Sequence, residues 1–420
     1  MHQLELTTTA PVLDLTPQDL DSILDELGAY HAIFSPLFQR REQQAWSLDY
    51  LHGLLLELPR KSIEPIVLHL HGGDRNAVRA MQQFLSEGAW DDTVILQRLW
   101  QELATDLGHA DGVLILDGSD FPKQGTQSVG VQRQYCGQLG KTANCQAGVF
   151  LAYASPHGYA LLDRRLYLPE VWLTDAYAER RTACGVPDGI TFTTKPSLGW
   201  SMIEAVVQAG TLPCRWVSCD EAFGRDTALL DKIAGAGKWY FAEVPHDTRV
   251  WRERVATALP PWVGRGRKPT RERVVAEAPA PQEVQAIAAA LPAEQWQPYL
   301  IKEGSQGPQV AEFAFLRVVA VRDDLPGPAV WLVLRRSLTD GELKTYLCNA
   351  PADLPHQRLA GISGMRWPIE TCFEVGKQEL GMGDYEVRSW RGWHHHLTLV
   401  LVALAFLVRL QGRLKKTLRR

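Results

Sequence analysis

Two short apolar runs, each closed by an aspartate, constrain this chain more than any other feature. Gly112-Val113-Leu114-Ile115-Leu116-Asp117 is one, and Arg215-Trp216-Val217-Ser218-Cys219-Asp220 is the other. Continuous apolar runs of this length read as strands buried on both faces of a sheet. Gly118-Ser119-Asp120-Phe121-Pro122-Lys123 predicts a break directly after the first run, which leaves Asp117 at a strand end. Residues 145–154 and 159–167 predict two further strands, with a hairpin turn at His157-Gly158, so three strands follow as a meander. A predicted helix over 198–210 leads to the second run. A helix over 224–235 follows it, and then a strand over 238–244. In open α/β sheets ligands bind outside the carboxyl ends of the strands. Both aspartates are therefore placed where chemistry is done, although either alone reads more readily as a turn or cap residue.

The stretch Arg366-Trp367-Pro368-Ile369-Glu370-Thr371-Cys372-Phe373-Glu374-Val375-Gly376-Lys377 adds a third carrier of charge. Pro368 suits the first turn of a helix, where a missing N–H costs nothing. From there Glu370, Phe373, Glu374 and Lys377 recur at helical spacing and share one face. Trp367, Ile369 and Phe373 are the expected anchors, with Arg366 just before the helix. An ordinary amphipathic helix with a charge pair at i,i+3 or i,i+4 fits the same spacing.

The rest of the chain supplies context. A net charge of −4 over 420 residues excludes a protein coated in positive charge but leaves room for basic patches. Seven scattered cysteines without a C-x-x-C pair fit reduced thiols in a cytoplasm better than a disulfide framework or a zinc site. Met1 to Asp14 carries no signal pattern. The apolar run 397–408 is shorter than a membrane span and predicts a buried helix, within a longer helix over 393–411. Residues 16–105 read as helical, with a cap-like start at Thr16-Pro17 and helices over 46–58, 76–85 and 91–107. Residues 245–330 hold many prolines and the basic stretch Arg265-Gly266-Arg267-Lys268-Pro269-Thr270-Arg271-Glu272-Arg273. Strands are predicted over 310–321, 330–338 and 345–350. Gly137-Gln138-Leu139-Gly140-Lys141-Thr142 is no phosphate loop, because the required first glycine is Tyr135. His394-His395-His396 are consecutive and cannot all face one ligand from a helix.

Three carboxylates on separate elements, converging at one sheet edge, suit a two-metal site. Mg²⁺ prefers hard oxygen ligands, and two such ions can hold the attacking and leaving oxygens of a displacement at phosphorus. Asp117, Asp220 and Glu370 are the candidate ligands, with Lys377 or Arg366 as the nearby cation. Asp120, Glu221 and Glu374 are neighbouring alternatives that composition does not rank.

These residues resemble a known family. Asp117-Gly118-Ser119-Asp120-Phe121-Pro122-Lys123-Gln124-Gly125 resembles the first-aspartate motif of bacterial insertion-sequence transposases with a DDE catalytic core. Gly140-Lys141, Asn144, Gln146 and Gly148-Val149 resemble the stretch that follows it, and Asp220-Glu221-Ala222-Phe223-Gly224 resembles the second-aspartate motif. The family's last motif is Tyr, two residues, Arg, three residues, Glu, six residues, Lys. Arg366, Glu370 and Lys377 match it, whereas Ser363 stands at the tyrosine position. The resemblance runs from about residue 110 to the end. It implies an α/β fold, with a ribonuclease-H-like mixed sheet as core over 109–244 and 345–420. A β-rich insertion would fill 245–344, and an all-helical, DNA-binding N-terminal domain 1–108. It picks Glu370 over Glu374 as the third metal ligand beside Asp117 and Asp220. It further implies two Mg²⁺ ions, with Mn²⁺ able to substitute, and cleavage at the ends of a mobile element followed by 3′-hydroxyl attack on target DNA. The implied partners are double-stranded DNA at terminal inverted repeats and target, and a second copy of the chain in a synaptic dimer or higher assembly. The implied setting is cytoplasmic, at the nucleoid, with no membrane. Within the same resemblance, a DNA-binding descendant without catalysis and a nuclease without strand transfer are the alternatives.

Overall fold

The computed structural model describes residues 17–262, 264, 267–304 and 307–418. The Thr16 cap, the N-terminal Met1–Asp14 stretch, Arg265-Gly266 of the basic stretch and the last two residues of the tail lie outside them.

The chain opens with five helices: α1 (Pro17–Phe34), α2 (Arg41–Leu55), α3 (Ile63–His71), α4 (Arg75–Ser86) and α5 (Asp92–Leu107). Asp74 and Asp91 cap α4 and α5, each carboxylate accepting from the backbone N–H two residues on. Then come β1 (Val113–Pro122), β2 (Gln132–Cys136), β3 (Lys141–Ser155) and β4 (Gly158–Tyr167). Helices α6 (Ala178–Ala183) and α7 (Lys195–Ala209) lead to β5 (Trp216–Cys219). After it follow α8 (Glu221–Gly224), α9 (Thr227–Gly235) and β6 (Trp239–Glu243). Strands β4, β3 and β1 pair antiparallel, and β1, β5 and β6 pair parallel, in the spatial order β4-β3-β1-β5-β6. That order and those directions are consistent with a ribonuclease-H-like core.

The next segment is built of β7 (Arg249–Trp251), β8 (Thr257–Ala258), β9 (Arg273–Val274), β10 (Gln282–Glu283), α10 (Val284–Ala290), β11 (Gln297–Gly304), β12 (Gly307–Arg322), β13 (Leu325–Ser337) and β14 (Leu343–Cys348). β8 and β9 pair only with each other, but the other strands do not make a separate sheet. β14 pairs antiparallel with β6, and β13, β12, β7 and β10 continue outward from it, so one mixed sheet runs through core and insertion. Three helices close the chain: α11 (His356–Ile362), α12 (Trp367–Glu379) and α13 (Trp390–Leu418).

Strand β1 departs from the sequence expectation. It does not stop at Asp117 but runs on to Pro122. The reason is its antiparallel neighbour: β3 is long enough to pair with every residue from Val113 to Pro122. The parallel neighbour β5 pairs only with Val113 to Leu116. Asp117 is thus the first residue of β1 without a parallel partner, so it still meets a sheet edge although its own strand continues.

Helix α13 is the hub. By length and composition alone, Trp390–Leu414 is apolar enough to cross a membrane. Every residue from Leu397 to Phe406 is instead buried, under α2, α4, α5, α12 and β4. A helix that is apolar all round is satisfied by being covered all round. Two of the three histidines tie its start to the opening segment. His395 stacks on Trp90 at 3.5 Å between ring centroids, and His396 lies against Tyr50 and Met382.

The His396 network has one tautomer. The Met382 carbonyl, 3.3 Å away, can only accept, so Nε2 carries the proton; Nδ1 then accepts from the Tyr50 hydroxyl at 2.8 Å. Burial pushes this imidazole down to about 3. In the unfolded chain it takes a proton below about 6.5. The stability of the neutral buried ring is therefore complete above that pH and is lost as pH falls from 6.5 toward 3. The expected contribution to the slope is at most about 1.4 kcal/mol per pH unit. Denaturant unfolding from pH 7 to pH 5 checks it: H396Q should show a shallower loss of stability than the parent, and equal slopes would remove His396 as a source.

Candidate active site

Three parallel strands each bring an acid to the same end of the sheet. Asp117 follows the last parallel-paired residue of β1, Asp220 directly follows β5, and Glu243 closes β6. Glu370 reaches them from the first turn of α12. That helix starts where sequence predicts, with Arg366 at its N-cap position and Pro368 in the first turn. Its buried anchors are Pro368, Ile369, Cys372 and Gly376. Trp367 is not an anchor: it is half exposed, with the Lys302 ammonium 3.8 Å above its ring. It sits at the first turn of the helix, partly covered by Lys302 of β11. Phe373 does pack inward, edge-on to Phe150 at 5.3 Å.

Each acid is held by fixed dipoles or a cation. Asp117 Oδ1 accepts from the Gly118 N–H at 2.7 Å, and Oδ2 from Arg366 Nη1 at 3.1 Å. Asp220 caps α8, accepting from the Phe223 N–H at 3.3 Å. Glu370 Oε1 pairs with Arg366 Nη2 at 2.6 Å, and Glu243 Oε2 lies 3.8 Å from Arg366 Nε. Burial, and then the charge of Asp220, push Asp117 up to about 7; Arg366 and the Gly118 N–H pull the other way. Burial likewise raises Asp220. Burial by itself would lower Arg366, but Asp117, Glu370, Glu243 and Asp220 together raise it. The site is thus an excess of negative charge, partly out of water, gathered round one guanidinium.

The structure groups Asp117, Asp220, Arg366 and Glu370. It does not bring Lys377 to them. That ammonium donates to the Asp120 carbonyl at 3.3 Å and to Gln138 Oε1 at 3.1 Å. Seven residues of helix carry it about 10 Å along the axis from Glu370, so a shared face is not a shared place. The neighbouring acids are engaged elsewhere or turned outward. Asp120 accepts from the Gly137 N–H at 2.6 Å, Glu221 pairs with Arg225 at 3.1 Å, and Glu374 is exposed. Ser363 is buried and donates to the Ala360 carbonyl at 2.7 Å.

Glu243 is the residue that sequence reasoning passed over. Its signal was present: Trp239-Tyr240-Phe241-Ala242-Glu243 is a third apolar run closed by an acid. On the insertion side of the acids lies a cleft of about 500 Å³, lined by Glu243, Lys302, Arg335, Lys344, Arg366 and Glu370 among others.

As the side chains stand, no group of three or more His, Cys, Asp or Glu among the described residues is spaced to hold a metal ion. Arg366 bridges Asp117 and Glu370. The donor set itself, carboxylate oxygens alone, is of the type that Mg²⁺ and Mn²⁺ take. In chemistry, though not in their present spacing, these side chains suit such an ion.

A family model described as DDE superfamily endonuclease matches residues 33–308, more than half of the chain. The chain belongs to the DDE superfamily endonucleases. Such endonucleases act on DNA and generally use divalent metals such as Mg²⁺. In this DDE endonuclease the matched span includes Asp117, Asp220 and Glu243 and ends before Arg366, Glu370 and Lys377. No curated protein matches the chain.

The glycine of the second-aspartate motif has a physical role in this endonuclease. A Cβ at Gly224 would land on the Glu243 carbonyl oxygen, with the Ala242 methyl at 3.3 Å. Only glycine lets the turn capped by Asp220 lie flat on the end of β6. Gly224→Ala should therefore cost about 1–3 kcal/mol, read as a lower urea midpoint. Gly235→Ala, with open space around its Cβ, is the control. An unchanged midpoint for Gly224→Ala would contradict the close approach.

Proposed function

We propose that this DDE endonuclease is a DNA transposase that binds the terminal inverted repeats of an insertion sequence, cleaves at them and joins the ends to target DNA. The observation that carries the reading is the convergence of Asp117, Asp220 and Glu370, from β1, the β5 end and α12, on one guanidinium at one sheet edge. Asp117, Asp220 and Glu370 would hold two Mg²⁺ ions, or Mn²⁺ in their place. When bound, such ions activate a water or 3′-hydroxyl and stabilise the leaving oxygen at phosphorus.

The chain's own residues do the rest. Gly118 N–H and the α8 turn fix the orientation of Asp117 and Asp220 before DNA arrives. Arg366 balances the charge of the acids, and Lys377, further along β1, offers a cation to a backbone phosphate. Lys302, Arg335 and Lys344 line the adjacent cleft and would hold a second stretch of DNA backbone. In cleavage water would attack phosphorus as the bond to the 3′ oxygen breaks, leaving a 5′-phosphate and a 3′-hydroxyl; that hydroxyl would then bond to a target phosphorus and displace its 3′ oxygen.

We assign residues 1–108 to terminal-repeat binding, 109–244 with 345–420 to the catalytic core, and 245–344 to the insertion. The basic stretch Arg265–Arg273 and the tail from Arg413 are further DNA contacts. The working form is a synaptic dimer or higher assembly on DNA in the cytoplasm.

The test is a cleavage and strand-transfer assay with Mg²⁺ on DNA bearing the element's own ends. Asp117→Asn, Asp220→Asn and Glu370→Gln should each lower cleavage by at least ~10²-fold, the scale of losing a metal-site group, with DNA binding kept. Lys377→Ala should cost less. Binding should weaken roughly 10³-fold between 50 and 200 mM salt if six or more phosphates are contacted. Cleavage without joining would leave a nuclease; specific binding without cleavage, identical in all variants, would leave a DNA-binding descendant.

A further inference from the structure

Arg366 stands among four carboxylates and not three. Its Nη1 donates to Asp117 at 3.1 Å and its Nη2 to Glu370 at 2.6 Å, while Nε faces Glu243 at 3.8 Å. Asp220 lies within reach of its charge. The guanidinium side chain is only 27 % exposed and the Glu243 side chain 18 %. Two cations want the same oxygens here. A divalent ion needs Asp117 and Glu370, and the guanidinium already bridges them with charge-assisted hydrogen bonds. An ion that takes those two oxygens, Asp117 Oδ2 and Glu370 Oε1, displaces the guanidinium from them.

We propose that Arg366 is a built-in competitor for the divalent cation, clamping Asp117 and Glu370 until a metal ion takes them, and that Glu243 is the acid that keeps the displaced guanidinium. This inference rests on the metal-site reading above. Glu243 suits the part for two reasons. Among the described residues it is the acid that faces Arg366 Nε, while the Nη groups hold Asp117 and Glu370. It is also fixed in place, as the last residue of β6 beside Lys344 Nζ at 3.5 Å. The guanidinium need only exchange partners around a pivot it already faces. Before metal arrives it suppresses the repulsion that would otherwise drive Asp117 and Glu370 apart. After metal arrives it remains beside the site, able to meet a phosphate.

A purely structural brace would behave in the opposite way. If Arg366 only held the acids in position, its loss would scatter them and weaken metal binding. If it competes, its loss strengthens metal binding. The sign of the change decides.

The experiment is calorimetric titration of Mn²⁺ into the full-length protein without DNA, with melting temperature recorded for each variant. R366Q should bind Mn²⁺ about tenfold or more tightly than the parent, since a unit charge a few ångströms away is removed. R366K keeps the charge and should stay within about threefold of the parent. E243Q should weaken Mn²⁺ binding several-fold. That effect should largely vanish in the R366Q background, because Glu243 acts through the guanidinium. R366Q binding Mn²⁺ no more tightly than the parent, at an unchanged melting temperature, overturns the competition. Equal effects of E243Q in both backgrounds overturn the handover to Glu243. Should R366Q lose its fold, E243Q alone decides, and unchanged affinity overturns the proposal. A parent that binds no Mn²⁺ at all sinks the metal-site reading itself, and this inference with it.

Discussion

Like charge is expensive to gather, and the architecture of this protein is arranged around gathering it. Three parallel strands bring Asp117, Asp220 and Glu243 to neighbouring points of one sheet edge, and α12 adds Glu370. Carboxylates so placed repel one another, and burial removes the water that would screen them. Burial, and then the charge of Asp220, push the Asp117 carboxyl up to about 7. One guanidinium, Arg366, offsets part of the repulsion. It can do so because Pro368 starts α12 where it does, so that Arg366 and Glu370 fall one turn apart beside the strand ends.

The helix that carries Arg366 and Glu370 is in turn fixed by elements far from the chemistry. At its far end, the Lys61 ammonium donates to the carbonyl of Glu379, the last residue of α12, and at 2.9 Å to the carbonyl of Leu54. A lysine at a helix C-terminus also meets the negative end of the helix dipole. Beneath α12, Phe373 meets Phe150 of β3, and α13 fills the space behind. α13 is pinned by Tyr50, Leu85 and Trp90 through His395 and His396. The opening helices thus reach the site through α13 and Lys61, within one continuous hydrophobic core. Deep packing holds the two side chains on α12 to the geometry that the acids need.

Much of this was legible in the chain and some was not, for definable reasons. Asp117 and Asp220 could be read because a buried parallel strand leaves a continuous apolar run, and its closing acid stands out. Arg366 and Glu370 could be read because a proline and a 3.6-residue period mark a helix start. The continuation of β1 through Gly118 and Ser119 could not, since it depends on pairing with β3 some thirty residues away. Position along a helix was the second blind spot: Glu370 and Lys377 share a face, yet Lys377 meets Asp120 and Gln138 and not the acids. Exposure was the third, for nothing in the sequence says that Trp367 stays half exposed. Glu243 was legible by the rule that found the two aspartates, but its strand was read one residue too far, to Val244, which hid the acid inside the run.

The central claim is that Asp117, Asp220 and Glu370 close on divalent ions. Anomalous diffraction from crystals grown with Mn²⁺ tests it most directly. The account predicts anomalous peaks about 2.0–2.3 Å from carboxylate oxygens of these three residues, with Arg366 turned away from Asp117. Peaks bound elsewhere, or a saturating concentration of Mn²⁺ that leaves Arg366 still bridging Asp117 and Glu370, would contradict it.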